Sequence, residues 1–219
     1  MEKEIVVKHF QKRRAEVLAK NKPSTLEVFD EKNEIRNKIY DELINEDSII
    51  AEIGVRLGEN ACLMFLRNPK KMILIDPWAK GIYPHHPKNG IFYTRVFNVF
   101  SNFDNVKILR LKSQKAHKKF NDNYFDLAYV DSGHTEGDVL RDLNIWSKKI
   151  KVGGYIVGDD YFGIRNPDSR IKWREHKYGV IEAVHKFLEN NSNFKIYKSE
   201  NLNVFPLPVG QFVLVKTGL

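Results

Sequence analysis

Two short stretches hold most of the chemistry this sequence can offer: "YVDSGH" at 129–134 and "VGDDY" at 157–161. Each closes an apolar run, so Asp131, Asp159 and Asp160 fall where core strands would reach solvent. Carboxylates gathered there raise one another's pKa values unless a cation sits among them. An all-oxygen set with no thiol or histidine pair favours a hard ion, Mg²⁺ first and Mn²⁺ or Ca²⁺ as substitutes. The competing reading is that Asp131 caps the following helix and that Asp159 and Asp160 are solvated loop residues. His134 follows Asp131 by three residues. A histidine titrates near neutral pH, so a neutral imidazole there can take a proton from a substrate hydroxyl; its plainer alternative is a surface or capping group.

These residues need elements to hold them. Near-continuous apolar runs recur at 48–55, 71–76, 106–111, 125–131 and 153–159, as expected of parallel strands covered on both faces. Helical stripes alternate with them: Ile35, Ile39 and Leu43; then Val139, Leu143, Trp146 and Ile150, with Thr135 as N-cap and Asp138 three residues on; then Val180, Val184 and Phe187. The fold class that follows is α/β, a doubly wound, mostly parallel sheet with helices on both faces. After the last helix, "NFKIYKS" and "QFVLVKT" read as a C-terminal antiparallel hairpin. We expect one domain over 1–219, with a helical arm at 1–46 and an α/β core at 47–219. The residues leave open whether the arm packs on its own domain or on a second subunit.

Open α/β sheets bind ligands outside the carboxyl ends of their strands. The first strand runs into "EIGVRLGEN", where Glu52 precedes Gly54 and Gly58. Glycines let a backbone turn sharply beside a ligand, and a carboxylate there suits an ammonium better than a phosphate. Read alone, the turn is merely a tight connection. Neither GxGxxG nor GK[ST] is present. Asp76, closing "ILIDPW", can accept from ribose hydroxyls or cap the turn that follows. Ser113 and Gln114 lie after the third strand, where an adenine edge would sit.

Taken together, "EIGVRLG", "IDPW", "YVDSGHTEGDVLRDL" and "VGGYIVGDDY" resemble the class I S-adenosylmethionine-dependent methyltransferases over residues 48–217. Within that superfamily they are similar to metal-dependent small-molecule O-methyltransferases, including macrolide-sugar enzymes and, more distantly, catechol O-methyltransferase. The resemblance implies a seven-stranded sheet with a reversed last strand, and S-adenosylmethionine held by Glu52, Gly54, Gly58, Asp76, Ser113, Gln114 and Asp131. It also implies an ion on Asp131, Asp159 and Asp160, with Asp131 and His134 in the catalytic centre. A divalent ion lowers the pKa of a bound hydroxyl and can chelate two vicinal oxygens, so a diol is the natural acceptor. A sugar or glycan is the first expectation and a catechol-like phenol the second. The long segments 78–95 and 161–179, rich in aromatic and basic residues, are expected to form its pocket, with Arg165, Arg170 and Trp173 as lining candidates. The adjacent His85 and His86 point differently and do not read as metal ligands.

Composition bounds the alternatives. With 219 residues and 42% hydrophobic content the chain can bury a sizeable core. No window holds the ~20 apolar residues of a membrane span, and the charged start is unlike a signal peptide, so a soluble, cytoplasmic protein is expected. The lone Cys62 lies in an apolar run and reads as a core residue. A net charge of +8 raises an RNA-methylating or nucleic-acid-binding alternative. The basic residues between Lys107 and Lys119 are broken by a strand pattern and lack a stacking aromatic series, so they read as a solvated face. A non-catalytic nucleotide module that binds NAD is the remaining competitor.

Overall fold

The computed structural model describes residues 2–20, 23–79, 89–161, 178–202 and 210–219. Five strands of the sheet run parallel: β1 (Ile49–Ile53), β2 (Lys71–Ile75), β3 (Val106–Leu109), β4 (Phe125–Val130) and β5 (Ile150–Gly158). β6 (Phe194–Ile196) and β7 (Phe212–Lys216) complete the order β3-β2-β1-β4-β5-β7-β6. β7 runs antiparallel to both neighbours, so the expected terminal hairpin is present, with its second strand inserted beside β5. Strand order reverses between β1 and β4, and ligands bind at such a switch point.

Both faces of the sheet are covered. On one side lie α1 (Glu2–Lys20), α2 (Pro23–Leu43), α3 (Glu59–Phe65) and α4 (Asn89–Phe100). On the other are the short α5 (Ser113–Ala116), α6 (Glu136–Ser147) and α7 (Val180–Asn190). Alternate residues of β1 serve the two layers: Ile50 packs with the first, Ala51 and Ile53 with the second. In α6 the Thr135 side chain accepts from the Asp138 backbone N–H, and Val139, Leu143 and Trp146 are buried. Ile150 departs from the helical stripe it continues in sequence: it pairs with Phe125 of β4 and opens β5.

The arm at 1–46 packs on its own domain. Val6 of α1 and Ile39, Tyr40 and Leu43 of α2 join the core cluster that includes α3 and β1. A His9 ring nitrogen lies 2.8 Å from the Leu57 carbonyl, and Arg13 donates to Glu59 from Nε and Nη2 at 3.0 and 2.8 Å. The arm is thereby fixed over the turn between β1 and α3. The segment 78–95, expected as an acceptor loop, ends in helix: Phe92, Val96 and Phe100 stand four apart in α4 and are buried. Trp78 is buried as well, its indole N–H donating to the Arg56 carbonyl at 2.9 Å. Among the described residues no helix is long and apolar enough to cross a membrane.

Candidate active site

Backbone hydrogen bonds at the strand ends set the frame. Gly54 N–H donates to Ile75 O at 2.9 Å, and Asp131 N–H donates to Ile53 O at 2.8 Å, which ties the ends of β1, β2 and β4 together. Gly54 has φ +99, and a Cβ built on it would lie 2.0 Å from the Asp131 carbonyl oxygen. Only glycine admits that approach. A cavity of about 510 Å³ opens above this junction, lined by Gly54, Arg56, Asp76, Ser113, Gln114, Asp131, His134, Asp160 and Tyr178 among others. Its size lies within the ~300–1,000 Å³ of small-molecule and cofactor sites.

The residues expected at a cofactor take different places around it. Asp76 is buried at the cavity wall, with Oδ1 accepting from Trp78 N–H at 2.7 Å and Oδ2 from Arg56 N–H at 2.9 Å. It therefore holds the turn and lines the cavity at once. Ser113 donates to Asp142 Oδ1 at 2.8 Å and accepts from the Trp146 indole at 2.9 Å. With its amide turned so that the oxygen faces Arg141, Gln114 accepts from Arg141 Nε and Nη2, both at 2.8 Å. Gly58, φ +81, is the N-cap of α3 and packs against Val96.

Glu52 stands behind the cavity wall rather than on it. One carboxylate oxygen accepts from Asn60 Nδ2 at 3.2 Å, and Asn60 Oδ1 accepts from Tyr40 OH at 2.5 Å. The other oxygen is buried with no hydrogen-bond partner among the described residues. Burial, outweighing the Asn60 hydrogen bond and Arg36, pushes the Glu52 carboxyl well above the ordinary glutamate range. Its folded state then holds a proton that the unfolded chain releases. Stability from this group is present below the unfolded value and is lost as pH rises towards the folded one. Glu52→Gln is expected to gain stability over wild type as pH rises above the ordinary carboxyl value of 4.5, read from urea unfolding at acid and at neutral pH. A difference independent of pH would refute a protonated Glu52.

The acidic centre is arranged differently from three converging carboxylates. Asp131, His134 and Asp160 come together, with ligand atoms within 4.8 Å of one another. His134 Nδ1 lies 3.1 Å from Asp160 Oδ2 and 3.9 Å from Asp131 Oδ1. The His134 ring stacks flat on Tyr178, centroids 4.7 Å apart at 5°, and the His134 carbonyl accepts from Gly179 N–H at 2.8 Å. Burial, then Asp159 and Asp160, hold the Asp131 carboxyl well above the usual range, and burial and Asp159 raise Asp160. Burial and the same carboxylates push the Tyr178 phenol up to about 12, so it stays protonated at neutral pH.

Asp159 instead turns towards the arm. Its Oδ2 accepts from Arg36 Nη2 at 2.9 Å and pairs with Lys32, and its Oδ1 accepts from Gln211 Nε2 at 2.6 Å and from Asp160 N–H at 2.7 Å. Asp159 still lines the cavity beside Asp131 and Asp160, with both oxygens also held by partners within the chain. Reading the sequence missed Lys32, Arg36, Tyr178 and Gln211. The arm offered one signal: basic residues four apart, Lys32 and Arg36, within a stretch otherwise striped for the core. His85, His86, Arg165, Arg170 and Trp173 lie outside the described residues.

Residues 51–161, just over half of the chain, match the family described as "Methyltransferase domain". The chain belongs to this methyltransferase family. The match runs from β1 to the residue after Asp160 and so spans the glycine turn and the acidic centre. An uncharacterized protein of Acanthamoeba polyphaga mimivirus is 29% identical over 175 residues, covering 77% of this methyltransferase and 72% of the relative. Among solved structures, the fold is similar to that of the O-methyltransferase TomG from Streptomyces achromogenes, involved in tomaymycin synthesis and solved in complex with SAM. The TM-score is 0.59, with 14% identity over 84% of this chain and 80% of that one. A Clostridium thermocellum protein described as a putative rRNA-methylase gives TM-score 0.56 and 15% identity, covering 85% and 95%. A Corynebacterium glutamicum protein gives 0.57 and 13%, covering 96% and 98%.

Proposed function

We propose that this methyltransferase moves a methyl group from S-adenosylmethionine to a hydroxyl of a sugar or glycan bearing vicinal hydroxyls, with His134 as general base. The observation that carries the reading is the His134–Asp160 pair, 3.1 Å apart, on the wall of the cavity that Gly54 and Asp76 also line. The Asp160 carboxylate facing Nδ1 across 3.1 Å favours the tautomer protonated at Nδ1, which leaves the basic lone pair on Nε2. Asp160 faces Nδ1 and orients the ring, and Tyr178 restricts its tilt by stacking. The bound cofactor supplies an electrophilic sulfonium methyl. Gly54, Asp76, Ser113 and Gln114 line the part of the cavity suited to it, and Arg56 offers a cation for its carboxylate.

A divalent ion fits Asp131 and Asp160, hard oxygen donors at the acidic centre, with Asp159 already engaged by the arm. Such an ion supplies Lewis acidity that lowers a hydroxyl pKa and a template that fixes a diol. The test is methyl transfer to a panel of diol sugars, catechols and RNA, with Mg²⁺ or EDTA. Turnover on a sugar diol that falls at least ~10-fold in EDTA is expected. EDTA-indifferent turnover removes the ion from the reading. Salt-sensitive labelling of RNA alone would replace the sugar acceptor with the reading favoured by the +8 charge.

A further inference from the structure

Four buried side chains from four separate elements close into a ring of hydrogen bonds beside the base. Arg36 Nη2 of α2 donates to Asp159 Oδ2 at 2.9 Å, and Gln211 Nε2, just before β7, donates to Asp159 Oδ1 at 2.6 Å. Tyr129 OH of β4 donates to Gln211 Oε1 at 3.0 Å, and Arg36 Nε donates to Tyr129 OH at 3.1 Å. All four residues are under a tenth exposed. A buried polar network with every member satisfied is stiff, since breaking one link leaves an unpaired group at low dielectric.

The ring also reaches the residue beside the base. Asp159 Oδ1 also accepts the backbone N–H of Asp160 at 2.7 Å. Asp160 is one of the few non-glycine residues in the left-handed region, φ 60, a conformation that persists only where its surroundings over-determine it. That bend directs its carboxylate to His134 Nδ1 at 3.1 Å.

We infer that Arg36, Tyr129, Gln211 and Asp159 are positioning residues, and that through Asp160 they set the orientation of the His134 imidazole. The N-terminal arm is therefore part of the active site, although its contribution lies 123 residues from Asp159 in sequence. The inference rests on the reading of His134 as base. A carboxylate free to rotate by an ångström would leave the ring nitrogen mis-aimed, and misplacement on that scale costs about 100-fold in rate.

Two variants test it. Tyr129→Phe removes one hydroxyl and keeps the packing; Arg36→Met breaks the ring at the charge. Each is measured for kcat and acceptor KM, for S-adenosylhomocysteine affinity by calorimetry, and for the His134 ring resonance by NMR. Expected are falls in kcat of about 3- to 10-fold for Tyr129→Phe and about 10- to 100-fold for Arg36→Met. KM and cofactor affinity should stay within about threefold, and the His134 resonance should shift while histidines distant from the site hold. Unmoved His134 resonances with kcat within about twofold in the folded variants would overturn the inference. So would kcat and cofactor affinity falling together in both, because that marks a general scaffold. Should wild type prove inactive on every acceptor while His134 still shifts, the positioning stands and the proposed chemistry falls.

Discussion

His134→Ala is expected to lower kcat by about 10²- to 10⁴-fold while leaving S-adenosylhomocysteine affinity within about threefold. The size follows from the proton's options. Without Nε2 an alcohol must lose its proton to water or to a carboxylate, both poorly matched to the task at neutral pH. Asp160, 3.1 Å from Nδ1, and Asp131, 3.9 Å from it, are the carboxylates left beside the vacated position, and both are held above the usual aspartate range. The split between kcat and affinity is the informative part, because His134 flanks the cavity without holding the glycine turn. Steady-state kinetics beside calorimetry would check it. Loss of cofactor binding in His134→Ala would place the residue in the binding site and remove it as base.

The second large effect is structural. Gly54→Ala places a methyl group 2.0 Å from the Asp131 carbonyl oxygen, 2.4 Å from its carbon and 2.8 Å from Ser132 Cα, all backbone atoms. Backbone cannot swing aside as a side chain can, and φ +99 is itself unfavourable for alanine. Either the ends of β1 and β4 separate or the turn rebuilds, and both move Asp131. We expect a loss of about 3–5 kcal/mol and a melting temperature lower by about 6–20 °C, with S-adenosylhomocysteine binding weakened at least ~10-fold. Thermal unfolding with and without ligand measures both. A variant with wild-type melting and affinity would show that the close approach of β1 and β4 does not shape the site.

What the sequence made legible, and what it hid, divides along a physical line. Core strands declare themselves through continuous apolar runs, so β1 to β5 and the reversed β7 were readable from residues such as "SIIAEIGV" and "QFVLVKT". A residue that ends such a strand has its place fixed by the strand, which is why Asp76, Asp131 and His134 could be assigned to one end of the sheet. Side-chain direction is another matter. Asp159 and Asp160 are adjacent and chemically alike, yet one is buried with Arg36 and the other faces His134. Nothing local distinguishes them, because the choice is made by α2, more than a hundred residues earlier. Glu52 shows the same limit in reverse: alternation along β1 sends its side chain to Asn60 and Tyr40, behind the wall, while its neighbourhood in sequence suggests a ligand. The helix α4, with Phe92, Val96, Val99 and Phe100 buried, begins inside the segment 78–95 read as an acceptor loop.

S-adenosylmethionine is proposed to occupy the cavity between Gly54, Asp76 and Asp131. Calorimetric titration of the full chain with S-adenosylhomocysteine and, separately, with NAD tests it most directly. Saturable one-to-one binding of S-adenosylhomocysteine, weakened by Asp76→Ala, is expected, with no binding of NAD. Tight NAD binding with no heat from S-adenosylhomocysteine would contradict it.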